Sequence, residues 1–410
     1  MNIEASCLPH PEREGSYLLF LELSASDDVA PARKPVHLAL AIDASSSMGG
    51  PRLARAVAAA RAVVDRLDSE DTFCLLAFDR SVRVLFGPAK ANDEGRAAVF
   101  KALSELKPGV GTALHAALDQ AHQLMRRVFV RGTRPHVIVL TDGYPSVGTM
   151  DPPEFLKLTR AAASEGIVTS AMGIGLDYDE EAVGAIATGG GGRYSFVDKA
   201  SDIPGALAQH LSDLFAIAVE NVTVRVSPAS AVREARLLHR YPTKVSPEGF
   251  VVETGPIGRG NPRRLLFELK TSARPEPVAA TIALTVHGSA QDPNRILSVP
   301  VDPEAPSARE AARELWRLKL SDHETAFWDA VHDNDKPAAA QELSAAEIAL
   351  EKLVACGAAP AELEPDRLRL RDGQAVLEGR LSQEAREAAR KRSHHTAISR
   401  ITSLTGKRDG

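Results

Sequence analysis

The chain has 410 residues, 44% of them hydrophobic and 25% charged. It is a globular composition too long for one ordinary core, so two or three domains are expected. A formal net charge of -5 argues against a general nucleic-acid binder, which carries a basic domain or stripe. Cys7, Cys74 and Cys356 are odd in number, far apart and never in a CxxC pair. That argues against a disulfide framework or a cysteine-zinc site and fits buried, inert thiols in a reducing compartment. The start, Met1-Asn2-Ile3-Glu4, lacks the segments of a secretory signal, and no stretch approaches the ~18 apolar residues of a membrane span. A cytoplasmic protein is expected.

In chain order, residues 16–24 read as a strand and Asp27 to Pro35 as a polar, proline-marked connection. From Val36 strands and helices alternate. Strand 36–42 precedes a helix from Pro51 to Leu67, and Thr72 to Phe78 and Val82 to Phe86 form a strand pair. Helices follow at Glu94 to Leu106 and Ala113 to Val128. Strand 136–141, helix 153–165, strand 167–174, helix 178–187, strand 193–197 and helix 203–217 complete the series. Such alternation predicts a parallel sheet covered by helices on both faces, with ligands bound beyond the carboxyl ends of the strands.

After Ala218 helical periodicity gives way to short β-forming runs, Asn221 to Val226, Ala235 to Leu238, Gly249 to Thr254, Arg264 to Leu269 and Ala279 to Val286. Turn clusters at Ser246 to Gly249 and Gly258 to Pro262 separate them. This pattern predicts a small antiparallel sandwich. Strand 16–24 has no place in the α/β sheet and is expected to pair with the sandwich, which makes the α/β domain an insertion. From Pro306 the chain is rich in Ala, Glu, Arg and Leu. Helices are expected at Ala308 to Val331 and Pro337 to Ala355, with a third stretch over 361–400 interrupted by Gly373 and Gly379. The fold class is thus α/β, a doubly wound, mostly parallel sheet, joined by an antiparallel β-sandwich and a C-terminal α-helical module. The expected divisions are 1–30, 31–217, 218–303 and 304–410.

The chemistry concentrates at strand ends. Asp43-Ala44-Ser45-Ser46-Ser47 closes the apolar run from Val36 to Ile42, Gly109-Val110-Gly111-Thr112 opens a helix, and the run from Val137 to Leu140 ends in Thr141-Asp142-Gly143. Asp43, Ser45, Ser47, Thr112 and Asp142 are therefore candidate oxygen ligands for a small hard cation. Magnesium suits them, with manganese as substitute, because Mg2+ prefers six oxygens and keeps waters and an open position. Asp and Ser are also common at turns and caps, and Thr112 could cap the helix at Ala113 as well as ligate.

The order DxSxS, Gly-Thr loop and TDG resembles the von Willebrand factor A domain with its metal-ion-dependent adhesion site. The similarity spans about residues 36–217 and includes Phe78-Asp79, Gly173-Ile174-Gly175 and Gly189-Gly190-Gly191-Gly192-Arg193-Tyr194. The layout also looks like bacterial intracellular A-domain proteins related to inter-α-trypsin inhibitor heavy chains. The resemblance implies that Ser45, Ser47 and Thr112 contact the metal through hydroxyls. It implies that Asp43 and Asp142 act directly or through water, and that a partner's carboxylate takes the remaining site. Neutral hydroxyls leave the cation's charge poorly neutralised, which favours an external Asp or Glu. The family often has Gly where this chain has Ser46.

Other features read more plainly. Asp79 is a turn residue with a minor chance of supporting the site. His115 and His122 are expected to face solvent or a domain contact, and His394-His395 to lie on a solvated face. The glycines 189–192 are expected to form a flexible turn, since no GxxxxGK[ST] exists. The cluster Arg386, Arg390, Lys391 and Arg392 is interrupted by Glu384 and Glu387 and lacks aromatic anchors, so docking against the chain itself or a partner is expected over a membrane surface. Ser45 lacks the GxSxG elbow and a nearby His base. The expected function is metal-dependent protein–protein binding without catalysis. The alternatives are an accessory subunit of an AAA+ ATPase of the MoxR or chelatase type and, less favoured, a metal-dependent hydrolase.

Overall fold

A computed structural model of the chain describes residues 2–25, 35–129, 135–215, 217–239, 241–258, 261–271, 278–286 and 295–401. The connection expected at Asp27 to Pro35 lies almost wholly outside these residues. Two strands come first, β1 (Asn2–Pro9) and β2 (Ser16–Ser24). An alternating series follows: β3 (His37–Asp43), α1 (Pro51–Arg66), β4 (Thr72–Phe78), β5 (Val82–Lys90), α2 (Asp93–Ser104), α3 (Leu114–Arg127) and β6 (Pro135–Thr141). It continues through α4 (Pro152–Ser164), β7 (Val168–Ile174), α5 (Glu180–Gly190), β8 (Gly191–Val197) and α6 (Ile203–Phe215). Next are β9 (Ile217–Pro228), β10 (Val232–Leu237), β11 (Thr243–Ser246), β12 (Gly249–Gly258), β13 (Arg263–Thr271), β14 (Val278–Val286) and β15 (Arg295–Pro300). Four helices close the chain, α7 (Ala308–His332), α8 (Lys336–Ala355), α9 (Pro360–Leu377) and α10 (Gln383–Ile401). The chain divides into two compact units, Pro31–Ala216 and the remainder.

The unit Pro31–Ala216 is built on a six-stranded sheet in the order β5-β4-β3-β6-β7-β8. Every pairing is parallel except β4 with β5. β3, β4, β6 and β7 are buried at every position, as a parallel sheet covered on both faces requires. From β3 the chain first builds outward through β4 to β5, then returns to the other side of β3 and builds outward through β6 to β8. The reversal opens a crevice at the carboxyl ends of β3 and β6, where α/β sheets bind ligands. Glycines 189–192 do not form a flexible turn. Gly189 and Gly190 complete α5, Gly191 takes the left-handed conformation (φ 61°) as it enters β8, and Gly192 packs on the Thr169 carbonyl, where a side chain would collide.

In the second unit, β1-β2-β13-β10 and β11-β12-β9-β14-β15 form two antiparallel sheets. β2 pairs with β13 from Tyr17 against Leu269 to Leu23 against Arg263. Alternate residues of these strands point to opposite faces. Leu19, Leu21 and Leu23 join Leu265, Phe267, Val224 and Val252 in a core shared by both sheets. Leu18, Phe20 and Leu266, on the other face, pack with Leu315 and Leu318 of α7 and Ala397 of α10. β2 is thus apolar on both sides, which explains its unbroken Leu-Leu-Phe-Leu run. Strands β1, β11 and β15 were not among the expected runs. Cys7 and Cys74 are buried, and burial pushes both thiols up to about 12.

The helices α7 to α10 enclose their own core, including Trp316, Phe327, Leu343 and Leu370. Gly373 does not interrupt α9; it lets the helix approach Leu343 and Phe327, and the break falls at Gly379 (φ 70°). Three members of the basic cluster of α10 are engaged with acids of the fold, and Arg386 is exposed. Arg392 donates to Asp372 at 3.0 Å and Arg390 to Glu387 at 2.8 Å, while Lys391 is fully buried with its Nζ 3.7 Å from Glu387. His394 and His395 are half-buried, not on a solvated face. Among the described residues no helix is long and apolar enough to cross a membrane.

One buried ion network fastens α7 to the four-stranded sheet. His239 Nδ1 accepts the Leu266 amide at 3.2 Å, so the ring proton sits on Nε2 and is donated to Glu314 at 3.1 Å. Arg264 and Arg317 lie 3.5 and 3.7 Å from the same carboxylate. Burial alone would push Glu314 up; the hydrogen bond from His239 and the charges of Arg264 and Arg317 outweigh it and lower the carboxyl from 4.5 to about 2. Stability from this group is therefore full above pH 4.5 and is lost as pH falls through about 2. Glu314→Gln should destabilise this unit by about 2–4 kcal/mol at pH 7, since it removes the buried charge on which His239, Arg264 and Arg317 converge. Urea unfolding at pH 7 and pH 3 checks this. The gap between wild type and variant should narrow at the lower pH, and an equal gap would contradict the assignment.

Candidate functional site

The site begins where β3 stops. Asp43 is fully buried at the last position of the strand, level with Phe78 of β4. Beyond it Ser46–Met48 form a single 3-10 turn anchored by the buried Met48, and Gly50 (φ 76°) redirects the chain into α1, with Pro51 at its first turn. Ser46 lies in that turn without a positive φ, so serine serves here as well as glycine would. Asp43 Oδ1 accepts the Ser45 amide at 2.8 Å, and Oδ2 accepts the Thr141 hydroxyl at 2.6 Å. The carboxylate is thus locked to both neighbouring loops.

The hydroxyls form a chain from there. Ser45 Oγ and Ser47 Oγ are 2.9 Å apart, and Ser47 Oγ donates to Asp142 Oδ1 at 2.7 Å. Asp142 is fully buried just past β6, and its Oδ2 accepts from Arg52 Nη1 at 2.7 Å. Thr112 is held by its backbone: its amide donates to Ser146 Oγ at 3.0 Å, and its carbonyl accepts the Ser146 amide at 3.1 Å. Gly143 lies between the two sets, since a Cβ placed there would stand 3.6 Å from both Ser47 Oγ and Thr112 Oγ1. The fold therefore brings Asp43, Ser45, Ser47, Thr112 and Asp142 around one crevice. α3 starts with Ala113 as N-cap and no side-chain hydrogen bond there, so Thr112 does not take the capping role.

Three further residues support this arrangement. Asp79 is more than a turn residue. It accepts the Ser81 amide at 2.9 Å, its carbonyl accepts the Ala113 amide at 2.7 Å, and Gly109 sits so close to its carboxyl that a Cβ there would collide. The Gly-Thr loop is thereby clamped at both ends. Thr141, which the sequence presents only as a strand end, is the donor to Asp43. Arg52 also escaped the sequence. A signal was present: a cation in the first turn of a helix opposes the helix dipole, and such a residue calls for an acidic partner. By contrast, His122 is fully buried, not solvent-facing; its Nε2 lies 2.8 Å from Thr169 Oγ1, and burial lowers it to about 4, so it is neutral. His115 packs half-buried, its ring centroid 5.7 Å from that of Phe155.

Electrostatically the crevice holds two carboxylates and one guanidinium. Burial pushes Asp43 up to about 6 against the hydrogen bonds from Thr141 and Ser45, with Asp142 adding a smaller push in the same direction. The donors suit a small hard cation. Ser45 and Ser47 are hydrogen-bonded at 2.9 Å, a separation that adjacent ligands of a small octahedral ion, ~2.9 Å apart, can keep. Ser47 spends its proton on Asp142 and so keeps a lone pair for an ion. Among the described residues no group of three or more His, Cys, Asp or Glu could hold a metal, so any ion here would depend on hydroxyls.

The von Willebrand factor type A domain model matches residues 37–209. Protein YfbK of Escherichia coli is 26% identical over 64% of this chain and 46% of its own length. Inter-alpha-trypsin inhibitor heavy chain H2 of Sus scrofa is 23% identical over 64% of this chain and 28% of its own. The chain thus spans less than half the length of either curated relative. A solved von Willebrand factor type A structure from Catenulispora acidiphila, 17% identical, superposes with a TM-score of 0.70 over 92% of this chain and 89% of that one. The family match and the strand order together identify residues 37–209 as a von Willebrand factor type A domain.

Proposed function

We propose that Asp43, Ser45, Ser47, Thr112 and Asp142 hold Mg2+, with Mn2+ as substitute, and that the ion receives an Asp or Glu side chain of a protein partner. The convergence of these five oxygen-bearing side chains at one crevice carries this reading, together with the donation from Ser47 to Asp142 that leaves a lone pair for the ion. Two carboxylates, one already engaged by Arg52, leave a dication with charge to spare, and an external carboxylate supplies it. The surroundings support a protein as the source. Val110 and Tyr144 are 71% and 57% exposed, one on the loop of Thr112 and the other two residues past Asp142. Exposed apolar and aromatic side chains around a polar centre are typical of interface cores.

Binding fits better than catalysis, because Ser45 Oγ has another hydroxyl, Ser47, as its hydrogen-bond partner where a nucleophile would have an imidazole. We place the activity in the cytoplasm. We read 31–217 as a module that folds alone, since its sheet and covering helices are complete without the flanking residues. That fragment should unfold cooperatively with the same response to Mg2+ as the full chain, as followed by circular dichroism.

The metal assignment has a two-sided test. Because burial raises Asp43 from 3.8 to about 6, its ionised form costs stability at pH 7, a cost that grows as pH rises through about 6. Asp43→Asn should therefore raise the metal-free unfolding midpoint, by about 1–2 kcal/mol of stability. It should also abolish the rise that Mg2+ gives the wild type, about 1.4 kcal/mol at roughly tenfold excess over its dissociation constant. Thermal unfolding with and without MgCl2 measures both, and a variant that still responds to Mg2+ rules the site out. Thr112→Ala removes one neutral ligand. It should weaken capture of the partner in Mg2+ more than it weakens the ion's affinity in titration calorimetry. Unchanged capture, or capture indifferent to EDTA, would move the interface elsewhere.

A further inference from the structure

Arg52 stands where a second cation would be least expected. It is in the first turn of α1, its side chain is 31% exposed, and its guanidinium donates to the fully buried Asp142. A partly desolvated cation beside the positive end of a helix is unfavourable without an acid. The surroundings are shaped to admit it. Gly175, whose positive φ (73°) favours glycine, leaves room beside the guanidinium, since a Cβ there would be 2.7 Å from Arg52 Nη2. A second acid, the exposed Asp177, has its Oδ2 3.9 Å from Nη2 on the outer side. Arg52 therefore lies between a buried carboxylate of the crevice and an exposed one at its edge.

Resting on the metal-site reading, we propose that Arg52 is a tethered counter-cation that competes with the divalent ion for Asp142 and holds the site's metal affinity down. With Arg52 engaged, the crevice offers a net charge of -1 (Asp43 and Asp142 against one guanidinium) to a dication. Without it the crevice offers -2. An ion arriving at Ser45 and Ser47 shares Asp142 with the guanidinium, which can lean toward Asp177. The loaded site then keeps one net positive charge, the amount that a single external carboxylate cancels. Arg52 thus trades metal affinity for a site that remains attractive to an anion. Coulomb attraction between single charges a few ångströms apart near a protein surface is large enough for such a trade.

The test is Mn2+ binding to the full-length protein at low ionic strength, read from the signal of free Mn2+ by electron paramagnetic resonance. Arg52→Gln should bind Mn2+ about tenfold tighter than wild type, and added salt should shrink the difference. Arg52→Lys keeps the charge and should stay near the wild-type affinity. Arg52→Met keeps the length of the apolar stem and serves where Gln fails to fold; it should match the gain expected of Gln. Unchanged or weaker Mn2+ binding in the neutral variants, with wild type binding and Asp43→Asn not, would overturn the role of Arg52 while leaving the metal site standing. No binding by wild type, or equal binding by Asp43→Asn, would instead remove the metal site and this inference with it.

Discussion

The parallel pairing of β3 with β6 is the constraint on which the site depends. Residues 37–42 run beside residues 135–140 in register, so Asp43 and Thr141 end side by side. The bond from Thr141 Oγ1 to Asp43 Oδ2 at 2.6 Å ties the two strand ends into one rim. The chain reverses its direction of sheet growth between these strands, so their loops diverge and leave a crevice instead of a covered surface. Ser45 and Ser47 enter it from one side, Asp142 from the other. The Gly-Thr loop is held across the gap by Asp79, Ala44 and Ser146, whose groups take or give its backbone hydrogen bonds.

This construction has an electrostatic cost that is partly met within the site. Two carboxylates are fully buried within one crevice, and burial raises Asp43. The fold spreads hydrogen-bond donors over them: a backbone amide and the Thr141 hydroxyl on Asp43, the Ser47 hydroxyl and the Arg52 guanidinium on Asp142. Each donor keeps a carboxylate tolerable in a nearly dry place. Residues arranged for such chemistry are less stable than an apolar substitute would be. The apolar strands β3, β4, β6 and β7, buried throughout, supply the compensating rigidity beneath.

The other unit solves a different problem. Its four-stranded sheet takes β2 from before Pro31–Ala216 and β13 from after it, a pairing of high sequence separation whose loop closure costs entropy. β2 repays that entropy by burying apolar residues on both faces, one against the second sheet and the other against α7 and α10. The Glu314 network then fixes α7 over the sheet by charge and hydrogen bond where the apolar contacts leave a polar seam.

Much of this was legible in the sequence, because local signals and apolar periodicity agreed. The alternation from Val36 onward gave the doubly wound sheet, and the oxygen-bearing residues stood out by position: Asp43, Ser45, Ser47 and Asp142 at or just past the ends of apolar strands, Thr112 in a Gly-Thr loop opening a helix. Strands β1, β11 and β15 stayed hidden because their side chains mix polar and apolar residues, and their state is set by the strands they pair with. Gly373 was misjudged because a helix tolerates glycine where a neighbouring helix must come close. His122 was misjudged because nothing local distinguishes a histidine facing Thr169 from one facing water. Arg52 and Thr141 belong to the same class. Their charge and hydroxyl acquire meaning only when strands distant in sequence set Asp142 and Asp43 beside them. Local pattern determined which residues end the strands and which oxygens they carry. Tertiary structure decided which of those oxygens meet and which cation already stands among them, because hydrogen bonds between loops depend on register and crossover, which periodicity does not encode.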